Sequence, residues 1–202
     1  MSGQTPELDH TTLDKAQSGD PGAFTEVVRH YEQMVYNFSF KVCRDRDYAE
    51  ETLQDTFVNV YRKLGQFDGK SKFSTWLYTI VANNCLMKRR RQKLEKASIS
   101  IDEPRMPLAH SGSSDGSGSP VLQSWQRTPL EETMRKELRV LLDEAIQKLP
   151  VDYRLVFILR DLEGKSAQET AKIMKLSIPA VKSRLRRARV FLREQLNDYM
   201  SP

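Results

Sequence analysis

No apolar run in this 202-residue sequence approaches the roughly 20 residues that a membrane-crossing helix needs, so membrane insertion is not expected. Cysteine is scarce. Cys43 and Cys85 are the only two, far apart in the chain and outside any C-x-x-C spacing, and each falls in an apolar helical pattern as a structural residue does. His10, His30 and His110 are scattered without ligand spacing, so neither a metal centre nor a cofactor is expected. The first 20 residues are polar, with Glu7, Asp9 and Asp14 among them, unlike a secretory or transit peptide. A cytoplasmic protein is the expectation. No segment alternates with the two-residue period of a strand, which points to an all-α fold.

What the chain has in excess is positive charge, in two places. The net charge is only +5, yet residues 88–96 (KRRRQKLEK) carry 6 bases and 1 acid, and residues 170–193 carry 8 bases and no acid. The remainder is acidic. Two cationic segments on an acidic body are the footprint of a chain that meets phosphate twice.

Between them the composition changes. Residues 97–130 contain SGSSDGSGSP and no sustained apolar period, which reads as a flexible linker whose ends lie on the order of 30 Å apart as a random coil. Two small helical domains are therefore expected, at residues 8–96 and 131–199, free to move independently.

In the first, Asp20–Pro21 is a helix start, after which Phe24, Val27, Val28, Tyr31, Val35, Phe38 and Val42 recur at helical spacing. A second helix, about Asp47 to Leu64, places Ala49, Leu53, Phe57, Val60 and Leu64 on one face. The loop GQFDGKS precedes a third helix that begins near Ser74 and runs into Lys88–Arg91. In the second domain a stripe of Leu138, Leu141, Leu142, Ala145, Ile146 and Leu149 ends at Pro150. A further helix spans about Asp152 to Leu162.

From Ser166 onward the pattern is that of a helix-turn-helix. Ser166 and Glu169 have capping-box spacing ahead of the short helix AQETAKIM. After Lys175–Ile178, Pro179 opens a second helix in which Val181, Leu185, Ala188, Leu192, Leu196 and Tyr199 recur at steps of 4, 3, 4, 4 and 3. Lys182, Ser183, Arg186, Arg187 and Arg189 lie off that stripe, on a surface suited to a DNA major groove. In the first domain, Phe67 to Tyr78 interleaves aromatics with Lys70, Lys72 and hydroxyls. Stacking platforms beside cations suit unpaired bases, and Asn83 is placed to meet a base edge. Phe73, Trp76 and Leu77 also have the spacing of core residues.

These residues together resemble the extracytoplasmic-function group of bacterial RNA polymerase sigma factors, over about Ala16 to Leu196. QSGDPGAF is similar to the opening of the family's domain two, AEETLQDTFVNVYRKL to its polymerase-docking segment, FDGKSKFSTWLYTIVANN to its minus-10 segment, and the stretch from Leu149 to Arg189 to domain four. The resemblance implies a transcription initiation factor that supplies no chemistry of its own. Its partners would be core RNA polymerase, through the β′ clamp helices and the β flap, promoter DNA, and an anti-sigma factor. By the same resemblance Gln54, Asp55 and Asn59 contact the clamp. Phe67, Lys70 and Ser71 capture a flipped minus-10 base, with Trp76, Asn83, Lys88, Arg89 and Arg90 alongside. Lys182, Ser183, Arg184, Arg186 and Arg187 meet the minus-35 duplex. A regulator of the LuxR type shares the final helix-turn-helix but would show β/α alternation in its first domain. Catalysis is disfavoured because the one acid cluster, Glu50, Glu51 and Asp55, has no nucleophile or histidine partner.

Overall fold

The computed structural model describes residues 6–96 and 129–200, and every regular element among them is helical. Four helices form the first group: α1 (His10–Gln17), α2 (Pro21–Cys43), α3 (Arg46–Lys63) and α4 (Phe73–Lys96), with a 3₁₀ turn at Leu64–Gln66. The second group is α5 (Pro129–Lys148), α6 (Val151–Phe157), which continues as a π-turn over Ile158–Leu162, α7 (Ala167–Met174) and α8 (Ile178–Met200). Of the expected linker, residues 97–128 lie outside the described residues, and its last two positions already belong to α5.

Local chemistry sets the helix ends. The Asp20 carboxylate accepts from the Ala23 amide at 3.0 Å with Pro21 in the first turn, and Asp45 accepts from the Tyr48 amide at 2.9 Å. Between them Arg44 adopts the left-handed conformation at φ 57°, which turns the chain directly from α2 into α3. The start of α4 is reached from far away. Glu7 accepts the Ser74 hydroxyl at 2.5 Å and lies 3.4 Å from the Ser74 amide, so a carboxylate 67 positions upstream faces the positive end of the helix.

Helix α1 was not expected from the sequence. It is a short element whose Leu13 and Ala16 are buried and whose last residue, Gln17, donates to the carbonyls of Leu64 and Phe67 at 3.1 and 2.8 Å. Two apolar stripes also differ from expectation. On α3 the fully buried line is Ala49, Thr52, Thr56 and Val60, while Leu53 and Phe57 are only half-buried. The threonines go inside because they find partners: Asn84 donates to the Thr56 hydroxyl at 3.0 Å, and the Thr52 hydroxyl sits 3.9 Å from the Cys43 sulfur. On α5 the buried stripe begins further along, since Leu138 is 47% exposed and full burial starts at Ala145.

The segments expected to move independently lie against one another. α4 packs on α6 and α7, and α2 on α6, so the buried apolar residues of both groups form one continuous cluster. Polar contacts close the seam. Glu163 accepts from Lys41 and from the Tyr78 hydroxyl, each at 2.7 Å, and the Lys165 ammonium lies 4.7 Å from the centre of the Tyr78 ring. Arg44 pairs with Asp143 at 2.8 Å. Arg154 donates to the carbonyls of Ile146, Gln147 and Leu149 at the end of α5 and to that of Val42 at the end of α2. Burial, reinforced by the charges of Arg44 and Arg89, lowers its pKa to about 10.

The turn between α7 and α8 carries a strain that can be relieved. Lys175 ends α7 in the left-handed region at φ 52°, with the Leu176 amide bonded to the Ala171 carbonyl at 2.9 Å. A side chain there pays a steric cost that glycine avoids. Lys175→Gly should therefore raise stability by about 0.5–1 kcal/mol in thermal or urea unfolding, and a lower midpoint would contradict that geometry.

Candidate nucleic-acid and polymerase interfaces

The helix-turn-helix is built from its caps outward. The Ser166 amide donates to Glu169 at 2.8 Å and the Glu169 amide to the Ser166 hydroxyl at 3.1 Å, completing the capping box. Burial opposes ionisation of Glu169, but these bonds and the charges of Lys165 and Lys72 outweigh it and hold the carboxyl below its usual range. The Ser177 hydroxyl accepts from the Ala180 amide at 3.3 Å and starts α8. Val181, Leu185, Ala188 and Leu192 are buried as their spacing requires, joined by Phe191, which the stripe omitted.

The polar residues of α8 differ in exposure. Lys182, Ser183 and Arg186 are exposed. Arg184 is half-buried and lies 3.6 Å from Asp152, while Arg187 is half-buried with its guanidinium 3.5 Å from the Tyr153 hydroxyl. Both are steered by the start of α6. Arg189 forms a two-pronged pair with Asp161 at 2.7 and 2.9 Å, so it stitches α8 to the π-turn instead of projecting freely.

In the first group the aromatics form a small cluster of edge-on and tilted rings. The ring centroids of Phe67, Phe73 and Trp76 are 5.3–5.5 Å apart; Phe73 is buried, while Phe67 and Trp76 are half-buried at its edge. Trp76 is thus part of a ring cluster as well as a flank of the loop. The loop itself is held by Gln17 beneath Phe67 and by Asp68, which accepts from the Lys70 amide at 3.1 Å and pairs with its ammonium at 2.8 Å. Gly69 supplies the positive φ of 69° that lets the chain reverse there. Lys70 and Lys72 are exposed, Ser71 and Asn83 half-buried.

Two residues expected to serve different partners are joined. Lys88, expected on the minus-10 side, is buried against α3, its side chain 14% exposed and its ammonium 3.1 Å from Glu51 and 3.3 Å from Asp55. In this arrangement it is the ion-pair partner of the acidic face of α3. Arg89 and Arg90 remain exposed. On α3, Gln54 and Asp55 are exposed, whereas Asn59 is half-buried and donates to Asn84 at 3.1 Å. Around them Tyr48, Val58 and Tyr61 leave 41%, 48% and 68% of their surface open, an apolar fringe that sequence periodicity passed over.

All-helical architecture, a helix-turn-helix with a cationic helix, and an aromatic loop running into a basic helix define a promoter-reading class of protein. Comparison with known proteins agrees. The sequence matches the family Sigma-70 region 2 over residues 27–95 and Sigma-70, region 4 over residues 139–192. It is 30% identical over 188 residues to the RNA polymerase sigma-H factor of Pseudomonas aeruginosa, covering 92% of each chain. It is 30% identical to the ECF RNA polymerase sigma-E factor of Escherichia coli over 181 residues, 90% of each, and 29% identical to the ECF sigma factor SigW of Bacillus subtilis, covering 92% of this chain and 95% of that one. Among solved structures, the sigma factor RpoE in complex with the anti-sigma factor NepR from Bartonella quintana matches with a TM-score of 0.60 at 25% identity, over 86% of this chain and 96% of that one. CnrH in complex with the cytosolic domain of CnrY shares the fold, with a TM-score of 0.61 at 23% identity over 94% and 97%. The chain belongs to the extracytoplasmic-function sigma factors of RNA polymerase.

The two kinds of α8 cation predict different phenotypes. Lys182→Ala should lower the slope of log affinity for duplex DNA against log salt by about 1 and leave stability unchanged. Arg189→Ala should cost about 0.5–1 kcal/mol of stability and leave that slope intact. Equal effects on both measurements would contradict the division.

Proposed function

We propose that this chain docks core RNA polymerase through α3, reads a minus-35 element with α8, captures an unpaired minus-10 base at the Phe67–Ser71 loop, and is held inactive by an anti-sigma partner. The observation that carries the reading is the pairing, on one chain of this family, of a capped helix-turn-helix bearing exposed Lys182, Ser183 and Arg186 with an aromatic edge flanked by Lys70 and Lys72. Duplex recognition accounts for the first; stacking of extruded bases, at about 1–3 kcal/mol each, accounts for the second. Extrusion itself costs a few kcal/mol, which the stacked base returns. The acidic and apolar α3 surface of Gln54, Asp55, Val58 and Tyr61 faces the polymerase in this scheme.

The reading requires the seam to open. Positions minus 10 and minus 35 are about 25 base pairs apart, roughly 85 Å of duplex at ~3.4 Å per pair. A compact chain of this length is only about 40 Å across. The intervening residues 97–128 reach at most roughly 105 Å when extended, enough to let the groups part. The packed arrangement is then the resting form, and a partner that stabilises it, as an anti-sigma factor would, keeps the two DNA-reading surfaces from acting together.

Run-off transcription with core polymerase and genomic fragments tests the reading: promoter-specific transcripts are expected, and failure to bind core would overturn it. Asp55→Ala should weaken core binding by tenfold or more while leaving DNA binding by α8 unchanged. The lost ion pair with Lys88 costs the fold only about 0.2–1 kcal/mol because Glu51 remains. Equal losses in both assays would contradict the assignment of α3.

A further inference from the structure

Two nucleophiles lie at the seam that neither DNA nor polymerase contact employs. Cys43 is the last residue of α2 and Cys85 lies within α4, and their sulfurs are 3.7 Å apart although 42 positions separate them in sequence. Cys85 is 3% exposed. Cys43 is half-buried and lines a cleft with Tyr48 of α3, Lys88 and Arg89 of α4 and Arg154 of α6. The thiols are therefore unequal: one is accessible and faces cations, the other is buried directly behind it.

Their chemistry differs in the same sense. A hydrogen bond from the Cys85 thiol lowers the Cys43 pKa to about 7; burial opposes this, and the Thr52 hydroxyl with the charges of Lys88 and Arg154 adds to it. The Cys85 thiol is pushed up by that same hydrogen bond, by burial and by the neighbouring sulfur's charge. An accessible thiolate with a protonated thiol in reach is the arrangement of an attacking and a resolving cysteine.

We propose that Cys43 and Cys85 form an oxidisable dithiol, a modification site for hydroperoxides at the junction of the two helical groups. The Cys43 thiolate attacks the terminal oxygen of the peroxide; the O–O bond breaks, the leaving alkoxide takes a proton, and Cys43 becomes a sulfenic acid. Cys85 gives up its proton and attacks the Cys43 sulfur; the S–O bond breaks, water departs and the S–S bond forms. Two electrons pass from the sulfurs to the peroxide, which leaves as an alcohol and water. A thiol reductant reverses the change. Closing the sulfurs from 3.7 Å to a bond of about 2.05 Å needs a shift of roughly 1.7 Å, within the compass of side-chain rotation and slight movement of the α2 terminus. Transient disulfides of this kind are those found in reducing compartments.

The test uses the full-length protein, an equimolar amount of hydrogen peroxide, an alkylating quench and mass spectrometry of a non-reducing digest. Peptides holding Cys43 and Cys85 should appear cross-linked within one chain, both thiols should vanish together, and dithiothreitol should restore them. The rate should rise as pH passes through about 7, with Arg44, Tyr48, Cys85, Lys88, Arg89, Lys148 and Arg154 the ionisable groups that line the clefts at Cys43. Cys85→Ser should leave a dimedone-reactive sulfenic acid at Cys43, and Cys43→Ser should leave Cys85 unmodified. Wild-type thiols that both remain alkylatable after peroxide, or cross-links found only between chains, would overturn the proposal without reference to either variant.

Discussion

Much of this structure depends on one half-buried guanidinium, that of Arg154. Arg154 gathers three carbonyls at the end of α5 and one at the end of α2, satisfying orphan acceptors in both helical groups with a single side chain. A charged group so placed is costly to strand. Separating the groups removes the Val42 carbonyl from Arg154 and exposes both to water, so this bond adds about 1.5–3 kcal/mol at most to the apolar burial that α4 shares with α6 and α7. The Glu163 cluster with Lys41 and Tyr78 adds a second contact of the same kind.

That balance connects the fold to its task. Each surface proposed to read DNA is held within its own group: α8 by its buried stripe and by the Arg189–Asp161 pair, and the aromatic edge by Phe73 and Gln17. In the proposed function, what varies is their separation. Reading two elements roughly 85 Å apart calls for two rigid pieces and a yielding junction. The cationic charge follows the same division, with one segment on α8, where Arg184 and Arg189 face Asp152 and Asp161, and the other at the end of α4, where Lys88 faces Glu51 and Asp55.

How much of this was legible in the sequence depended on the range of the interactions. Capping at Asp20 and Ser166 and the α8 stripe are local, written within four residues, and were readable as such, whereas the Ser177 cap of α8 was passed over in favour of Pro179. The Thr52 and Thr56 line on α3 was not, because apolar periodicity favours Leu53 and Phe57 and is blind to hydroxyls whose partners come from other helices. Lys88 looked like part of a DNA-facing run, and only the position of α3 beside α4 turns it to Glu51 and Asp55. Glu7 facing the start of α4, the Cys43–Cys85 contact and the whole seam join residues 42 to 122 positions apart. Such pairings leave no local pattern. The family resemblance supplied the functional frame, and tertiary contacts then showed which of its residues are already engaged.

The central claim is that one chain changes from a packed to a parted arrangement when it begins transcription. Fluorescence energy transfer between labels on the exposed faces of α3 and α8 tests it most directly, in the free protein, with core polymerase, and with core polymerase on a promoter. The account predicts high transfer in the free protein and its near loss in the promoter complex, with the separation growing by several tens of ångströms. Unchanged high transfer in a complex that is making transcripts would contradict it.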